Sequence, residues 1–371
     1  TLIQLFPIWK VGSGLPIVMG ISFTFVSVAC TVGAQYGYNA IVGAVIVGGF
    51  IEGTIGLFAK YWTKLITPIV SASVVTAIGF SLLSVGASSF GGGSGNERFG
   101  SAQNWILGTA TLLSCLLFDM LAKSYWKQLS VLFGLIVGYI LAVFMGAVDF
   151  SALHDTAAVS LPSIMPFKPV FKASAIVSMT LIFLVSATET IGDTSALTIS
   201  GLNRPVTVKE TEGSIACDGY ASMLSGILGC LPVTSFSQNV GLIAMTKVVN
   251  RMVIGVGACI MILAGIFPFF GAVLATLPDA VLGGCTIMMF GSIVVSGMKM
   301  IAACGFEQRN ITIAALSLGI GIGFTQVPEI FSVFPPIIYT VFAENCVAVV
   351  FIVAIVANLI LPKDSEAAKE E

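Results

Sequence analysis

The sequence predicts an all-α polytopic membrane protein, and three observations carry the prediction. Of 371 residues, 57% are hydrophobic and 9% charged, with a mean hydropathy of +1.03. A soluble domain carries roughly 25% charged residues, so this chain has too few charges to cover a water-facing surface, and the deficit must face lipid. Second, reading apolar runs between charges, Gly and Pro gives about twelve stretches, where a membrane-crossing helix needs about 20 apolar residues. Third, if the C-terminus is cytoplasmic, alternating those stretches puts 13 of the 16 Lys and Arg residues on one side, as the positive-inside rule requires.

The stretches fall near 11–31, 39–59, 65–87, 105–122, 128–148, 173–195, 214–231, 235–250, 252–274, 280–302, 311–326 and 335–361. Those at 214–231, 235–250 and 311–326 are short for a full crossing. The side holding only Arg98, Lys168 and Lys172 receives the loops 88–104, with its Gly-Gly-Gly-Ser-Gly run, and 149–172. Both have turn composition and lack helical periodicity. The acidic tail after Leu361 is too short for a soluble domain.

Several function classes are excluded. Net charge is −2, which gives nucleic acid no basic footprint. The eight cysteines, at 30, 115, 217, 230, 259, 285, 304 and 346, form no CxxC or Cys/His cluster. They read as packing residues rather than metal ligands or a disulfide framework. No HExxH, GxSxG or Cys/His pair supports an enzyme, and no cofactor is expected.

An ionisable residue within a span is expensive and marks function by default. Glu52, Asp119, Glu189, Asp193, Asp218 and Glu344 qualify. Asp119 lies four residues before Lys123 near a helix end and reads as an interfacial pair. Glu52 and Glu344 are deeper and isolated, and read as interhelical hydrogen-bonding groups. Glu189 and Asp193 are four apart on one helix face, in the hydroxyl-rich run 187–195. That face requires a cavity or polar neighbours, or else a buried hydrogen-bond seam between helices.

Two interruptions sit at membrane depth. In Leu231–Gly241, Pro, hydroxyls and amides break the apolar sequence, extended at first and helical from about Ser237–Asn239. A half-helix beginning there presents free backbone N–H groups and a positive dipole end. Bare backbone at such depth survives only against protein or a cavity. The weaker counterpart, Gly20–Val28, alternates hydroxyl and apolar residues with period two, as a strand does. Such a pair, one in each half of a chain, points to a small-solute site between inverted repeats.

The stretch from Gln238 to Lys247 matches in full a signature of Gln, Glu or Pro, then Asn-x-Gly, four residues, Thr, and Arg, Lys or Gly. With the Glu-Thr-Ile-Gly-Asp run at 189–193 and the Asp218-Gly219 pair, the chain resembles the nucleobase–ascorbate transporter family over nearly its whole length. Xanthine and urate permeases are the nearest look. The resemblance implies two inverted seven-helix repeats divided into a core and a gate domain, usually in a dimer. Twelve stretches against fourteen helices imply residues 1–148 as a first repeat lacking its first two helices, and 149–371 as the second repeat.

It further implies a purine symporter, of xanthine or urate with H⁺ or alternatively Na⁺, in a bacterial inner membrane. An anion or sulfate transporter of the same architecture and a uracil permease are the alternatives. By resemblance Glu189 and Gln238 bind the base, Phe23 and Phe236 stack on it, and the amides of Phe23 and Ser237 lie at its edge. Asp218 serves proton coupling, with Glu52 the next candidate for that role, Asn239 holds the half-helix start, and Gly241, Thr246 and Asp193 support the site. A small Ser22 leaves room beside Phe23 or only packs between helices. The family's Gln-His pair has no match, because the one histidine, His154, lies in a loop region.

The chemistry of the base agrees. A carboxylate takes its N–H donors, a carboxamide matches an acceptor–donor edge, and an aromatic face covers the ring.

Overall fold

The structure, a computed structural model, describes residues 1–154, 159–343 and 345–362. The side chains at 64, 124, 125, 128, 152, 154, 238, 244, 245, 336, 337 and 340, and the surroundings of Gly241, lie outside the described set.

Helix dominates. In chain order the elements are α1 (Leu2–Leu5), β1 (Met19–Ile21), α2 (Val26–Tyr36), α3 (Tyr38–Gly56), α4 (Ala59–Trp62), α5 (Pro68–Phe90), α6 (Ala102–Leu121), α7 (Ser130–Phe144) and α8 (Ser151–His154). Then follow α9 (Ala173–Leu202), α10 (Val208–Ile227), β2 (Val233–Ser235), α11 (Ser237–Thr246), α12 (Arg251–Ile266), α13 (Pro268–Ala275), α14 (Asp279–Ala303), α15 (Gln308–Gln326), α16 (Pro336–Phe342) and α17 (Cys346–Ile360). By length and composition, five helices can cross a membrane among the described residues: α3, α5, α6, α9 and α14. The pair α12–α13 adds a sixth if it counts as one span. Others of the twelve apolar stretches are shorter or more polar as helices.

The two interruptions pair with one another. β1 and β2 form an antiparallel ladder with Met19 opposite Ser235, Gly20 opposite Thr234 and Ile21 opposite Val233. Each strand runs directly into a helix start. The Ser22 side chain caps a 3-10 turn, Phe23–Phe25, that leads into α2, and α11 begins at Ser237.

Several expectations need correction. The period-two run at 20–28 is strand only to Ile21, because the Ser22 cap starts a helical turn at Phe23. The stretch 252–274 is two helices bent by 78° at Phe267-Pro268, since Pro removes a helix hydrogen bond and clashes with the preceding turn. The stretch 335–361 is also two helices, and the Asn345 side chain caps the second by accepting from Ala348 N. Asp119 pairs with Lys127 at 3.5 Å, not with Lys123. Helix α6 ends at Leu121 and the chain is extended at Ala122 and Lys123, so Lys123 is not one helical turn above Asp119. His154 ends the short helix α8, and its side chain and all of Glu344 lie outside the described residues. All eight cysteines are free.

The chain divides into two compact units. Residues 1–81, 163–240 and 293–371 form one, and 82–162 with 241–292 form the other. Both draw on each side of residue 148.

Within the first unit, α3 and α10 pack through glycines. A Cβ on Gly219 would fall 2.1 Å from Gly53 N, and one on Gly56 would fall 2.6 Å from Ala216 N. Small residues let helix backbones close to this distance in a membrane. Helix α9 ends at Asn203 in the left-handed region (φ 53°). The chain then re-enters helix at Thr207, whose hydroxyl accepts from Glu210 N while the Glu210 carboxylate accepts from Thr207 N. The Arg204 guanidinium hydrogen-bonds Glu210 and holds its carboxyl down at about 2.

Candidate functional site

Helix α9 carries two polar stripes, each spaced four residues apart. The first, Ser186, Thr190 and Thr194, is buried. Ser186 Oγ donates to Thr234 Oγ1 of β2 at 3.0 Å, and Thr194 Oγ1 to Ser214 Oγ of α10 at 3.1 Å. The second stripe is Glu189 and Asp193. Thr24 Oγ1 donates to Glu189 Oε2 at 2.8 Å, and Ser237 Oγ donates to Asp193 Oδ2 at 2.8 Å. The two acids therefore anchor the two helix starts that follow the paired strands. Glu189 takes the first and Asp193 the second. Both acids are half-buried and keep an accessible surface.

Asp218 is a different kind of acid. It is fully buried and surrounded by donors. Oδ2 accepts from Thr190 Oγ1 at 2.6 Å, and from Thr234 Oγ1, Ser235 N and Ser235 Oγ, each at 3.1 Å. Oδ1 accepts from Gln4 Nε2 at 3.3 Å. Acceptor-only carboxylate oxygens suit such a ring of donors. The geometry makes Asp218 the clamp that holds β2 to α9 and α10.

Gln4 extends the clamp. It is fully buried, and its Nε2 also donates to Ser214 Oγ at 2.9 Å. Its Oε1 accepts from Ser13 N and Ser13 Oγ at 2.9 and 3.0 Å. Asn239, the third residue of α11, donates from Nδ2 to Pro16 O at 2.8 Å and so ties α11 to the chain entering β1.

The Phe236 ring lies on β1 at Gly20, where a Cβ would fall 2.2 Å from ring carbon Cε2. Only glycine leaves room for that contact. Phe236 N also donates to Val18 O at 3.0 Å. Phe23 is half-buried in the turn after β1. Ser22 is 5% exposed, and its Oγ accepts from Thr24 N at 3.2 Å.

The fold thus brings Ser22, Phe23, Glu189, Asp193, Asp218, Phe236, Ser237 and Asn239 to the strand pair and its flanking helices. The Gln238 side chain and the surroundings of Gly241 lie outside the described residues, although both backbones are part of α11. Thr246 sits at the far end of α11 and donates to Leu242 O at 2.8 Å. Sequence reasoning passed over Gln4, Thr24, Thr190 and Thr234. The legible signals were a lone amide in the apolar run at 2–6 and hydroxyls at four-residue spacing in α9.

A helical membrane protein whose paired short strands each feed a half-helix, with acids of one long helix at both starts, is by class a membrane transporter. Comparison with known proteins names the family. The profile Xan_ur_permease, described as a permease family, matches residues 1–330. The xanthine permease of Bacillus subtilis is 35% identical over 375 residues, covering 100% of this chain and 85% of its own length. Uric acid permease PucK of the same organism is 36% identical, over 90% of this chain and 77% of its own. Xanthine permease XanQ of Escherichia coli K12 is 34% identical, over 95% of this chain and 78% of its own. Among solved structures, the transmembrane domain of a cyanobacterium bicarbonate transporter, BicA, aligns with a TM-score of 0.55 at 14% identity. It covers 93% of this chain and 84% of that one, a likeness of fold alone. The chain belongs to this permease family, whose relatives here are named xanthine and uric acid permeases, in keeping with the resemblance its signature carries. It is an integral membrane permease and not an enzyme.

Proposed function

We propose that the protein carries an oxidised purine, xanthine or urate, across a bacterial inner membrane in symport with protons. One observation carries the reading: Glu189 and Asp193, on one face of α9, are hydrogen-bonded to the two opposed half-helix starts through Thr24 and Ser237. A flat base placed there has a half-buried carboxylate for its ring N–H donors and the dipole ends of two helices for its carbonyls.

In this reading Glu189 and Gln238 bind the base edge, and Phe23 and Phe236 cover its faces. The backbone amides of Phe23 and Ser237 bind at the rim, while Ser22 sets the room beside it. Asp193 and Asn239 keep the half-helix starts in place, and Gly241 and Thr246 shape the rest of α11. Asp218, expected from the sequence to exchange the coupling proton, serves the coupling instead by holding β2 between α9 and α10, because its oxygens are already taken by Gln4, Thr190, Thr234 and Ser235. The protein works as a homodimer with a cytoplasmic C-terminus and needs no cofactor beyond its coupling ion.

The test is uptake of labelled xanthine by cells expressing the protein, in competition with urate, hypoxanthine, guanine, uracil and ascorbate. Saturable uptake blocked by urate and abolished by a protonophore supports the reading. Uptake of uracil alone refutes the purine assignment, and sodium-dependent uptake indifferent to a protonophore refutes the coupling ion.

A further inference from the structure

Glu52 is the acid the site leaves unused. It lies in α3 and is 1% exposed, and its Oε1 has no hydrogen-bond partner among the described residues. The surrounding contacts fix where it faces. Gly49 meets Gly219 O and Met223, Gly53 meets Tyr220, and Gly56 meets Ile215 and Ala216. Residue 52 is three after Gly49 and four before Gly56, so it shares the face that they turn to α10. The two helices run antiparallel, which puts Glu52 at the level of residues 216–220, beside Asp218.

Among the described residues, the neighbours of Glu52 offer it no counter-charge. From α10 the titratable groups at this level are Cys217, Asp218 and Tyr220. The Asp218 oxygens already hold Gln4, Thr190, Thr234 and Ser235, Tyr220 Oη lies 3.4 Å from Thr54 Oγ1, and Cys217 Sγ lies 3.8 Å from Met19 Sδ. From α9, Phe183 and Met179 pack against α3 at Gly48, and Ala187 packs with Ala59. The α9 acids, Glu189 and Asp193, are engaged with Thr24 and Ser237. Helix α2 carries no Asp, Glu, Lys or Arg, and Lys60, beyond the end of α3, reaches Glu212 through its backbone N–H. A carboxylate needs donors or a cation in such surroundings, whereas a neutral carboxylic acid can be held there.

We propose that Glu52 binds the coupling proton: the O–H bond forms at its carboxyl with a proton taken from water, and breaks again to water later in the transport cycle. This rests on the symport reading above. In it, Asp218 is the fixed clamp and Glu52 the group that changes charge. Gly219, in backbone contact with Gly53, is the point through which a charge on Glu52 is felt at the clamp and at β2.

The test uses the full chain in proteoliposomes, with two readouts. Infrared difference spectra across a pH step are expected to show the carbonyl stretch of a protonated carboxylic acid that disappears in Glu52→Gln. Accumulation of xanthine driven by a pH gradient is expected to fall roughly 5–150-fold in Glu52→Gln, the usual size of a coupling between two ligands, while exchange of xanthine across the membrane persists. If Glu52→Gln fails to fold, Glu52→Asp keeps an ionisable group and is expected to retain accumulation with a displaced pH profile. An unchanged infrared band, or wild-type accumulation and pH dependence in either variant, overturns the proposal. If the wild type takes up no purine, the purine reading fails by itself, and the infrared band still decides Glu52.

Discussion

Thr24 donates a 2.8 Å hydrogen bond to Glu189 across 165 positions of the chain. It joins the turn that opens α2 to the acid face of α9. Ser237 makes the matching bond to Asp193 from the other half-helix. One helical turn of α9 therefore sets the spacing between two helix starts that belong to different halves of the sequence.

Removing the first tie is expected to weaken substrate binding without unfolding the protein. Thr24→Val keeps the shape and deletes the hydroxyl. A hydrogen bond to a charged group contributes about 1.5–3 kcal/mol, so xanthine affinity should fall on the order of tenfold or more. Equilibrium binding to the purified protein measures this, and Thr24→Ser, which keeps the hydroxyl, should restore affinity.

The Asp218 clamp makes a contrasting prediction. Asp218→Asn puts an amide N–H₂ where donors converge and leaves at least one of them unmatched. A buried unsatisfied polar group costs about 1–3 kcal/mol, so thermal stability in detergent should drop together with binding. Gln4→Ala removes one donor to Asp218 together with the bonds to Ser214 and Ser13, and should lower stability as well. A variant that binds substrate normally and melts like the wild type would show that β2 does not depend on this acid.

Sequence and structure part company in an instructive way at these residues. The acids, the interruption at 231–241 and the half-helix start at Ser237 were legible, because charge, Pro and hydroxyl groups stand out in apolar sequence. The partners were not. Thr24, Thr190 and Thr234 are ordinary hydroxyls until the β1–β2 ladder brings 19–21 and 233–235 together, and no local pattern encodes a pairing over that separation. Gln4 stood as a single amide in the short apolar run 2–6, with no second polar residue in that run to mark it. The Asp119 pairing was misread because a four-residue spacing assumes continuous helix, and α6 stops at Leu121.

The glycine seam between α3 and α10 should tolerate no side chain at Gly219. A Cβ there lies 2.1 Å from Gly53 N, against backbone rather than a flexible side chain. Overpacking of this kind costs typically 1–3 kcal/mol, occasionally more. Gly219→Ala is expected to lower the melting temperature, whereas Gly192→Ala, at an exposed position of α9 with open space around it, should not.

The Arg204–Glu210 pair sets a pH dependence outside the membrane spans. The Glu210 carboxyl is held at about 2, below its ordinary 4.5. A lowered folded value means stability that is fully present above the ordinary value and lost as pH falls toward about 2. Thermal unfolding in that acid window should lose less in Glu210→Gln than in the wild type. Thr207→Ala, which removes the cap at any pH, should cost about 0.5–2 kcal/mol.

Ser22 gives a test of selectivity in which the local fold is preserved. Its Oγ caps the turn at Thr24 N, and Asn is also a good cap. Ser22→Asn therefore changes volume while keeping the cap. Uptake of urate is expected to fall more than that of xanthine, by a difference of about 1–3 kcal/mol. Equal losses for both purines would remove Ser22 from the selectivity of the site.

The measurement closest to the central claim is equilibrium binding of labelled xanthine to the purified protein and to Glu189→Gln. The variant keeps the size of the side chain and removes its charge. The account expects saturable binding by the wild type, displaced by urate, and a loss of about tenfold or more in the variant, as for a charged hydrogen bond. Equal affinity in the two proteins would contradict it and place the purine away from the acid face of α9.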